Sequence, residues 1–280
     1  MIAKVKPKTI IKPAGIVIAK PIVIPTVATL EGSDISELKW LLYGPPGIGK
    51  SSFFAKAKKT VKGVLKQPWF LHTDPGLRFI KALKTPILAW KTFKKIVKEV
   101  TERPPKHVSM LVLDTADLLF RMCRKEVCQA RGLEHISDAE WGKGYDMVRD
   151  EFEQEVAKLA LLDQHGIGLA FISHSKDVDI RGRTVKTNKL VPTLPKQAHD
   201  LIAPLCDVIG YAGFSIERAD RTPEGEMGRI VQFEPDETVE AKDRTGLLPA
   251  KCRLDFDMVK EALEGKAPSE EEGGGEEEEG

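Results

Sequence analysis

Residues 44–51 read GPPGIGKS, which is the spacing G-x-x-x-x-G-K-[ST] of a phosphate-binding loop without a gap. Glycines in such a loop let backbone N–H groups point at phosphate oxygens, where a β-carbon would intrude. Lys50 would then reach the β- and γ-phosphates, and the Ser51 hydroxyl would bind Mg²⁺. The segment therefore predicts a site for ATP and magnesium, and the alternative is an ordinary glycine-rich turn.

The sequence on either side of this loop supplies the required context, a strand before it and a helix after it. The apolar run Leu38–Gly44 precedes the loop, and the helical stretch Ser51–Val61 follows it. A helix that begins here points its positive end at the phosphates. The predicted nucleotide-contacting residues are Gly44, Pro45, Pro46, Gly47, Ile48, Gly49, Lys50, Ser51 and Ser52.

Three further apolar runs repeat the strand pattern, with helical stretches between them. The runs are Trp69–Asp74, Val108–Asp114 and Ile167–His174. Each is too short and too continuous for an amphipathic helix, and is typical of a strand buried on both faces. The helical stretches are Ala89–Val100, Ala116–Ala130 and Trp141–Asp163. The order predicts an α/β fold in which helices cover both faces of a mostly parallel sheet.

The pattern changes after His174, where Lys176–Lys196 is polar and basic. A C-terminal β-hairpin extension and a last short helix are predicted beyond it. Their segments are Cys206–Ala212, Arg229–Glu234, Val239–Lys242 and Asp255–Leu263. We divide the chain into a basic, proline-containing arm (1–37), a core (38–264) and a disordered acidic tail (265–280).

Polar residues end three of the predicted parallel strands, at the edge where ligands bind in open α/β sheets. Asp114 is the natural partner of Ser51 in holding magnesium. Asp74 would orient or activate the attacking water, and His174 would hydrogen-bond the γ-phosphate. The alternatives are a helix-capping Asp114, a turn aspartate before Pro75 and a capping histidine.

The net charge of +1 conceals an asymmetry along the chain. Residues 264–280 hold eight Glu and one Lys, a local charge of −7, which leaves +8 for residues 1–263. A basic body with an acidic tail suits a nucleic-acid binder whose tail shields its surface, and a tail that only aids solubility is the alternative. No apolar run approaches the roughly 18 residues of a membrane-spanning helix.

The four cysteines form no CxxC pair. We therefore expect reduced, packed thiols and a cytoplasmic protein.

These segments together resemble the phage nucleotide-binding proteins of the RecA-like class, which include single-strand annealing recombinases built on a minimal RecA core. The resemblance spans about Leu38–Leu254 and rests on the phosphate loop, His72–Gly76, Leu111–Thr115, Trp141–Tyr145 and Phe171–Lys176. It implies a RecA-like ATPase core that uses ATP and Mg²⁺. It also implies single-stranded DNA as a partner, head-to-tail assembly into a homo-oligomer or filament, and contact with a single-strand-binding protein. A phage protein would act in the host cytoplasm.

The resemblance further implies roles for charged residues near the C-terminal half of the core. The loop after His174 is similar in position to the second DNA-contacting loop of recombinases. Its predicted phosphate-neutralising residues are Lys176, Arg181, Arg183, Lys186 and Lys189. Lys242 and Arg244 match the strand end that RecA-like assemblies present to the ATP of a neighbour, and would act there with Lys50, Asp74 and His174. The alternatives are a solvated hairpin and a charged hairpin tip.

Two positions depart from the family pattern. Where the family carries a strand-end Glu this chain has Asp74, and where bacterial recombinases carry Gln it has His174. Aspartate is one methylene shorter than glutamate, so we expect ATP hydrolysis to be slow or dependent on DNA.

Three functions are compatible with these features. The leading hypothesis is an ATP-dependent, single-strand-binding recombination or annealing protein. The second is a nucleotide-gated loader or adaptor that acts on a protein partner and has little DNA affinity. The third, a small-molecule P-loop kinase, is disfavoured because no lid segment with clustered arginines follows the loop at the expected distance.

Overall fold

The structure is a computed structural model that describes residues 34–139, 143–181, 186–215 and 227–266 of the 280-residue chain. Nearly all of the predicted arm and of the predicted acidic tail lies outside these ranges, as do Trp141 and Arg183. Among the described residues, no helix is long and apolar enough to cross a membrane. All four cysteines are free thiols, and Cys252 is the least buried of them.

The described residues form twelve strands and six α-helices. The strands are β1 (Lys39–Tyr43), β2 (Lys59–Val61), β3 (Val64–His72), β4 (Leu83–Pro86), β5 (Val108–Asp114), β6 (Gly168–Ser173), β7 (Ser175–Arg181), β8 (Lys186–Pro192), β9 (Val208–Phe214), β10 (Arg229–Gln232), β11 (Lys242–Asp243) and β12 (Lys251–Arg253). The helices are α1 (Lys50–Ala55), α2 (Trp90–Glu102), α3 (Ala116–Ala130), α4 (Lys143–Ala160), α5 (Lys196–Leu205) and α6 (Phe256–Leu263).

Ten of the strands form one sheet in the order β12-β10-β9-β1-β6-β5-β3-β2, with β11 beside β9 and β4 beside β3. The central strands β9, β1, β6, β5 and β3 are all parallel. Strand β6 lies between β1, which leads into the phosphate loop, and β5, which ends at Asp114. The predicted α/β fold with a mostly parallel sheet is confirmed, and antiparallel β10, β11 and β12 extend it as expected.

Helices cover both faces of this sheet, because the side chains of each central strand alternate between two cores. In β1, Leu41 and Tyr43 join the core beneath α2, α3, α4 and α5. Trp40 and Leu42 join the opposite core beneath α1 and α6. All seven residues of β5 are buried, which explains why its sequence is continuously apolar apart from Ser109 and the terminal Asp114.

The predicted helix Ser51–Val61 is wrong in its second half. Helix α1 ends at Ala55, and Lys59–Val61 instead forms edge strand β2, antiparallel to the start of β3. The turn between them is Lys62-Gly63, and both residues have positive φ (51° and 78°). Glycine adopts this conformation readily, so the turn joins the two antiparallel strands and makes β3 longer than its predicted apolar part.

Two features of the C-terminal half also differ from the sequence-based expectation. Helix α5 forms in a segment for which none was predicted, and Pro204 lies within its last turn. The predicted strand Val239–Lys242 pairs in only two places, through a single bridge between Val239 and Leu190 and through the short strand β11. These two pairings depend on contacts with β8 and β9, which no local sequence pattern reveals.

Phe152 on α4 fills the centre of the core beneath α2 and α3. It is fully buried, and its ring lies 5.8 Å from that of Trp90 and 5.1 Å from that of Phe120. Replacing Phe152 with Ala should lower the free energy of unfolding by about 3–5 kcal/mol, because it removes the ring and leaves a cavity. Urea denaturation measures this difference.

Tyr145 provides a matched control, since it lies on the same helix and is 41% exposed. Tyr145→Ala should change the free energy of unfolding by less than about 0.5 kcal/mol. A Phe152→Ala chain as stable as the parent would contradict this description of the core.

Candidate functional site

The phosphate loop follows β1 directly, and its glycines are required for different reasons. A β-carbon at Gly44 would lie 2.0 Å from the carbonyl oxygen of Ala212, so only glycine lets the loop leave the sheet beside β9. Gly47 and Gly49 have φ of 76° and 115°, a region that other residues rarely adopt. The amides at the start of α1 receive no side-chain cap.

Lys50 is buried at the start of α1, with 5% of its surface exposed. Its Nζ donates to the carbonyl oxygens of Gly44 (2.8 Å) and Pro45 (2.9 Å). Burial lowers the pKa of Lys50 to about 8, although the carboxylates of Asp114, Asp117 and Asp74 act in the opposite direction. The ammonium group therefore lies folded over the loop, where anionic oxygens would stabilise its charge better than carbonyl groups do.

Ser51 and Asp114 meet below the loop, as the sequence predicts. The Ser51 hydroxyl donates to Oδ2 of Asp114 at 2.6 Å, and Asp114 is 5% exposed. Burial raises the pKa of the Asp114 carboxyl group, and the hydrogen bond from Ser51 opposes that shift. A hydroxyl and one carboxylate are the few hard oxygen ligands that Mg²⁺ takes from a protein when phosphates complete its coordination.

The described residues contain no cluster of three or more His, Cys, Asp or Glu side chains that could hold a metal by themselves.

A cavity of about 380 Å³ opens over the loop at the carboxyl edge of the sheet. The residues that line it and carry chemistry are Lys50, Ser51, Asp74, Asp114, Thr115 and His174. The structure thus brings together the loop and all three strand-end residues expected at this edge. Parallel strands end on the same side, which is why residues far apart in the chain share one cavity.

Asp74 fits both of the roles that the sequence left open, that of a turn aspartate and that of a residue in the ligand site. Its Oδ1 accepts the backbone N–H of Gly76 at 2.8 Å and caps the short 3₁₀ helix Pro75–Phe79. The same residue lines the cavity. This hydrogen bond fixes the orientation of the Asp74 carboxylate, which could therefore hold a water molecule in place.

Two polar atoms in the cavity wall have no hydrogen-bond partner among the described residues. They are Oγ1 of Thr115 and Nδ1 of His174. Both atoms are buried, and a buried polar atom without a partner is unfavourable. Either side chain would have to turn towards the cavity before this atom could bind a ligand oxygen or a water molecule. Sequence reasoning missed Thr115, although its place directly after the strand-end Asp114 was a usable signal.

The basic segment after His174 is an antiparallel hairpin of β7 and β8. Its register pairs Lys176 with Val191 and Lys189 with Val178, so both lysines lie on one face. Lys176 is exposed and Lys189 half-buried. Arg181 and Lys186 form the last pair of the ladder, and Arg183 lies outside the described residues.

Lys242 and Arg244 lie outside the cavity of their own chain and bind the end of α5. Nζ of Lys242 donates to the carbonyl oxygens of Ala203 (2.8 Å) and Cys206 (2.5 Å). Arg244 donates through Nη2 to the carbonyl oxygen of Pro204 at 2.8 Å. Cations at a helix C-terminus satisfy its free carbonyl groups. Their role towards a neighbouring chain stays a prediction.

A protein-family profile described as "AAA domain" matches residues 36–245. The chain belongs to this AAA domain family. The match covers the loop, the strand-end residues, the hairpin and Arg244, and so places the chain among the P-loop ATPases, whose shared property is nucleotide binding.

Among solved structures, this AAA domain is similar to one titled "Crystal structure of the RadB recombinase". The identity is 13% and the TM-score 0.39, with 72% of this chain and 84% of the other covered. A likeness this low says nothing about function. Among the curated proteins, none matches this chain.

Proposed function

We propose that this AAA domain binds ATP with Mg²⁺ and, in that state, binds single-stranded DNA in recombination or annealing, as the phage proteins that it resembles do. The observation that carries the proposal is the contact of Ser51 with Asp114 beneath the buried Lys50, at the edge from which the basic hairpin β7–β8 starts. One edge of the sheet therefore holds both a phosphate site and a basic extension.

Each residue of the cavity has a role that its position supports. Lys50 and the loop amides bind phosphate oxygens, while Ser51 and Asp114 hold the magnesium ion. The bound ion neutralises phosphate charge. Asp74 orients a water molecule, and Thr115 and His174 line the part of the cavity that the terminal phosphate would enter. We expect hydrolysis to be slow or dependent on DNA, because Asp74 is short and also caps the helix Pro75–Phe79.

Lys50 gives the first test, because its pKa of about 8 connects nucleotide binding to pH. Phosphate oxygens favour the charged amine, so its pKa is higher in the complex than in the free protein. Above pH 8 the free amine is mainly neutral, and binding must take up as much as about one proton. ATP affinity should therefore fall as the pH rises from about 7 to about 9.

Isothermal titration calorimetry in two buffers of different ionisation enthalpy measures this proton uptake. Lys50→Arg should bind ATP without it, since arginine stays charged over this range, and Lys50→Ala should not bind measurably. Asp114→Asn should weaken the magnesium dependence and keep some metal-free binding. Equal ATP affinity of Lys50→Ala and the parent would overturn the nucleotide site.

The hairpin supplies the second test. Replacing Arg181, Arg183 and Lys186 together with Ala should weaken single-strand binding in the presence of an ATP analogue. The slope of log affinity against log salt should flatten by about 0.7 for each DNA phosphate that the variant no longer neutralises. Fluorescence anisotropy with a labelled oligonucleotide over a salt series measures both quantities.

Lys98→Ala is the control, because Lys98 is an exposed cation that lies on α2 and is not part of the hairpin. It should leave the salt slope unchanged. A triple variant with the parent's affinity and slope would remove the hairpin as the DNA contact and leave the adaptor function as the better interpretation.

We also propose that copies assemble head to tail, with Arg244 reaching the cavity of a neighbour. Arg244 suits this role better than Lys242, because 53% of its side chain is exposed while Lys242 holds two carbonyl groups of α5. Phe79, which is 93% exposed and adjoins Ile80 in the cavity wall, would lie at such an interface.

Mixing two inactive chains tests this assembly. Arg244→Ala should lower ATP hydrolysis per chain by up to about 10³-fold, and ATPase activity of the parent should rise with protein concentration. Adding a Lys50→Ala chain, which donates Arg244 but binds no ATP, should restore part of the activity. If co-assembled chains show no rescue, Arg244 does not act in trans.

A further inference from the structure

Asp117 is a buried acid for which the proposed chemistry has no direct use. It lies in the first turn of α3, three residues after Asp114, and is 3% exposed. Its carboxylate accepts hydrogen bonds from Oγ of Ser173 (2.6 Å), Oγ1 of Thr193 (2.7 Å) and the backbone N–H of His174 (3.2 Å). A buried carboxylate is costly unless donors satisfy it, so three converging donors mark a specific arrangement.

The three donors have one feature in common: they stand at the two ends of the β7–β8 hairpin. Ser173 and His174 directly precede β7, and Thr193 directly follows β8. The two ends are also joined to each other, because the N–H of Thr193 donates to the carbonyl oxygen of His174 at 2.8 Å. Asp117 therefore fastens the base of the hairpin to α3.

The same arrangement includes a residue of the cavity wall. His174 lines the cavity with Nδ1 unpartnered, while its backbone N–H is held by Asp117. Helix α3 begins directly after Thr115, which also lines the cavity. Asp117 therefore contacts a residue of the cavity wall and both ends of the hairpin.

We propose that Asp117 is a positioning residue that couples the nucleotide cavity to the hairpin. It sets the position of His174 in the cavity wall and locks the hairpin base to α3, so that the hairpin differs between the nucleotide-free and nucleotide-bound states. This inference rests on the proposed function only in that the cavity takes a nucleotide. It does not require that the hairpin binds DNA.

Thr193 allows the coupling to be cut without touching the cavity. Thr193→Val keeps the shape of the side chain but removes the hydroxyl that Asp117 holds, whereas Thr193→Ser keeps the hydroxyl. Glu155→Gln is the matched control for a change at a buried carboxyl group, because Glu155 is 4% exposed and pairs with Lys158 on the same helix, α4. Asp117→Asn is the direct variant, and the Thr193 pair stands in for it should that chain fail to fold.

The measurement is amide hydrogen exchange of residues 175–192 in the full chain, with and without a non-hydrolysable ATP analogue and Mg²⁺. In the parent, the analogue should change hairpin exchange at least several-fold. Thr193→Val and Asp117→Asn should lose most of that response, and Thr193→Ser and Glu155→Gln should keep it. Calorimetric affinity of Thr193→Val for the analogue should stay within about twofold of the parent in the absence of DNA.

If the parent binds single-stranded DNA, the ratio of its DNA affinities with and without the analogue gives a second readout. This ratio should be in the range of about 5–150-fold for a coupled pair of sites, and should fall towards one in Thr193→Val. Linkage requires DNA to change the analogue's affinity by the same factor.

The outcomes separate this inference from the proposed function. If calorimetry detects no nucleotide binding to the parent, the proposed function fails and the coupling fails with it. If the parent binds the analogue but hairpin exchange does not respond, or if Thr193→Val responds as fully as Thr193→Ser, only the coupling is overturned.

Discussion

The structure depends on one constraint: β1 is buried on both faces and lies parallel between β6 and β9. The chain that follows such a strand must therefore turn sharply at the carboxyl edge of the sheet, close to the backbone of the neighbouring strand β9. Gly44 meets that condition, because a β-carbon there would collide with the backbone of Ala212. The loop, the start of α1 and the orientation of Lys50 follow from this exit.

The same parallel arrangement concentrates charge at one edge. Asp114, Asp117 and Asp74 are near enough to act on the pKa of Lys50, and burial acts against the charged forms of Lys50 and Asp114. Each buried charge is stabilised locally: Lys50 by loop carbonyls, Asp114 by Ser51, and Asp117 by three neutral donors. A phosphate group with magnesium would replace the weaker of these contacts with charge-assisted ones. The site is therefore arranged for ligand charge rather than for its own greatest stability.

The hairpin and the cavity are neighbours because β6 ends in the cavity wall and β7 begins at the next residue but one. The cavity and the basic hairpin therefore meet at the base of the hairpin. Hydrogen bonds to Asp117 hold that base against α3. Lys242 and Arg244 form a separate group at the end of α5. Their position indicates that Lys242 has a role in holding the fold and leaves Arg244 as the better candidate for contact between copies.

The sequence alone was sufficient for the phosphate loop, for the strands β1, β3, β5 and β6 of the central sheet, and for the meeting of Ser51 with Asp114. These features are encoded by short-range spacing and by continuous apolar runs, which act through local backbone geometry and through burial on both faces. The hydrogen bond from Thr193 to Asp117 joins residues that are 76 positions apart in the chain. Lys242 bonds the end of α5 across 36 to 39 positions. Such contacts have no local signature, because a polar side chain finds its partners only when packed elements bring them within hydrogen-bond distance.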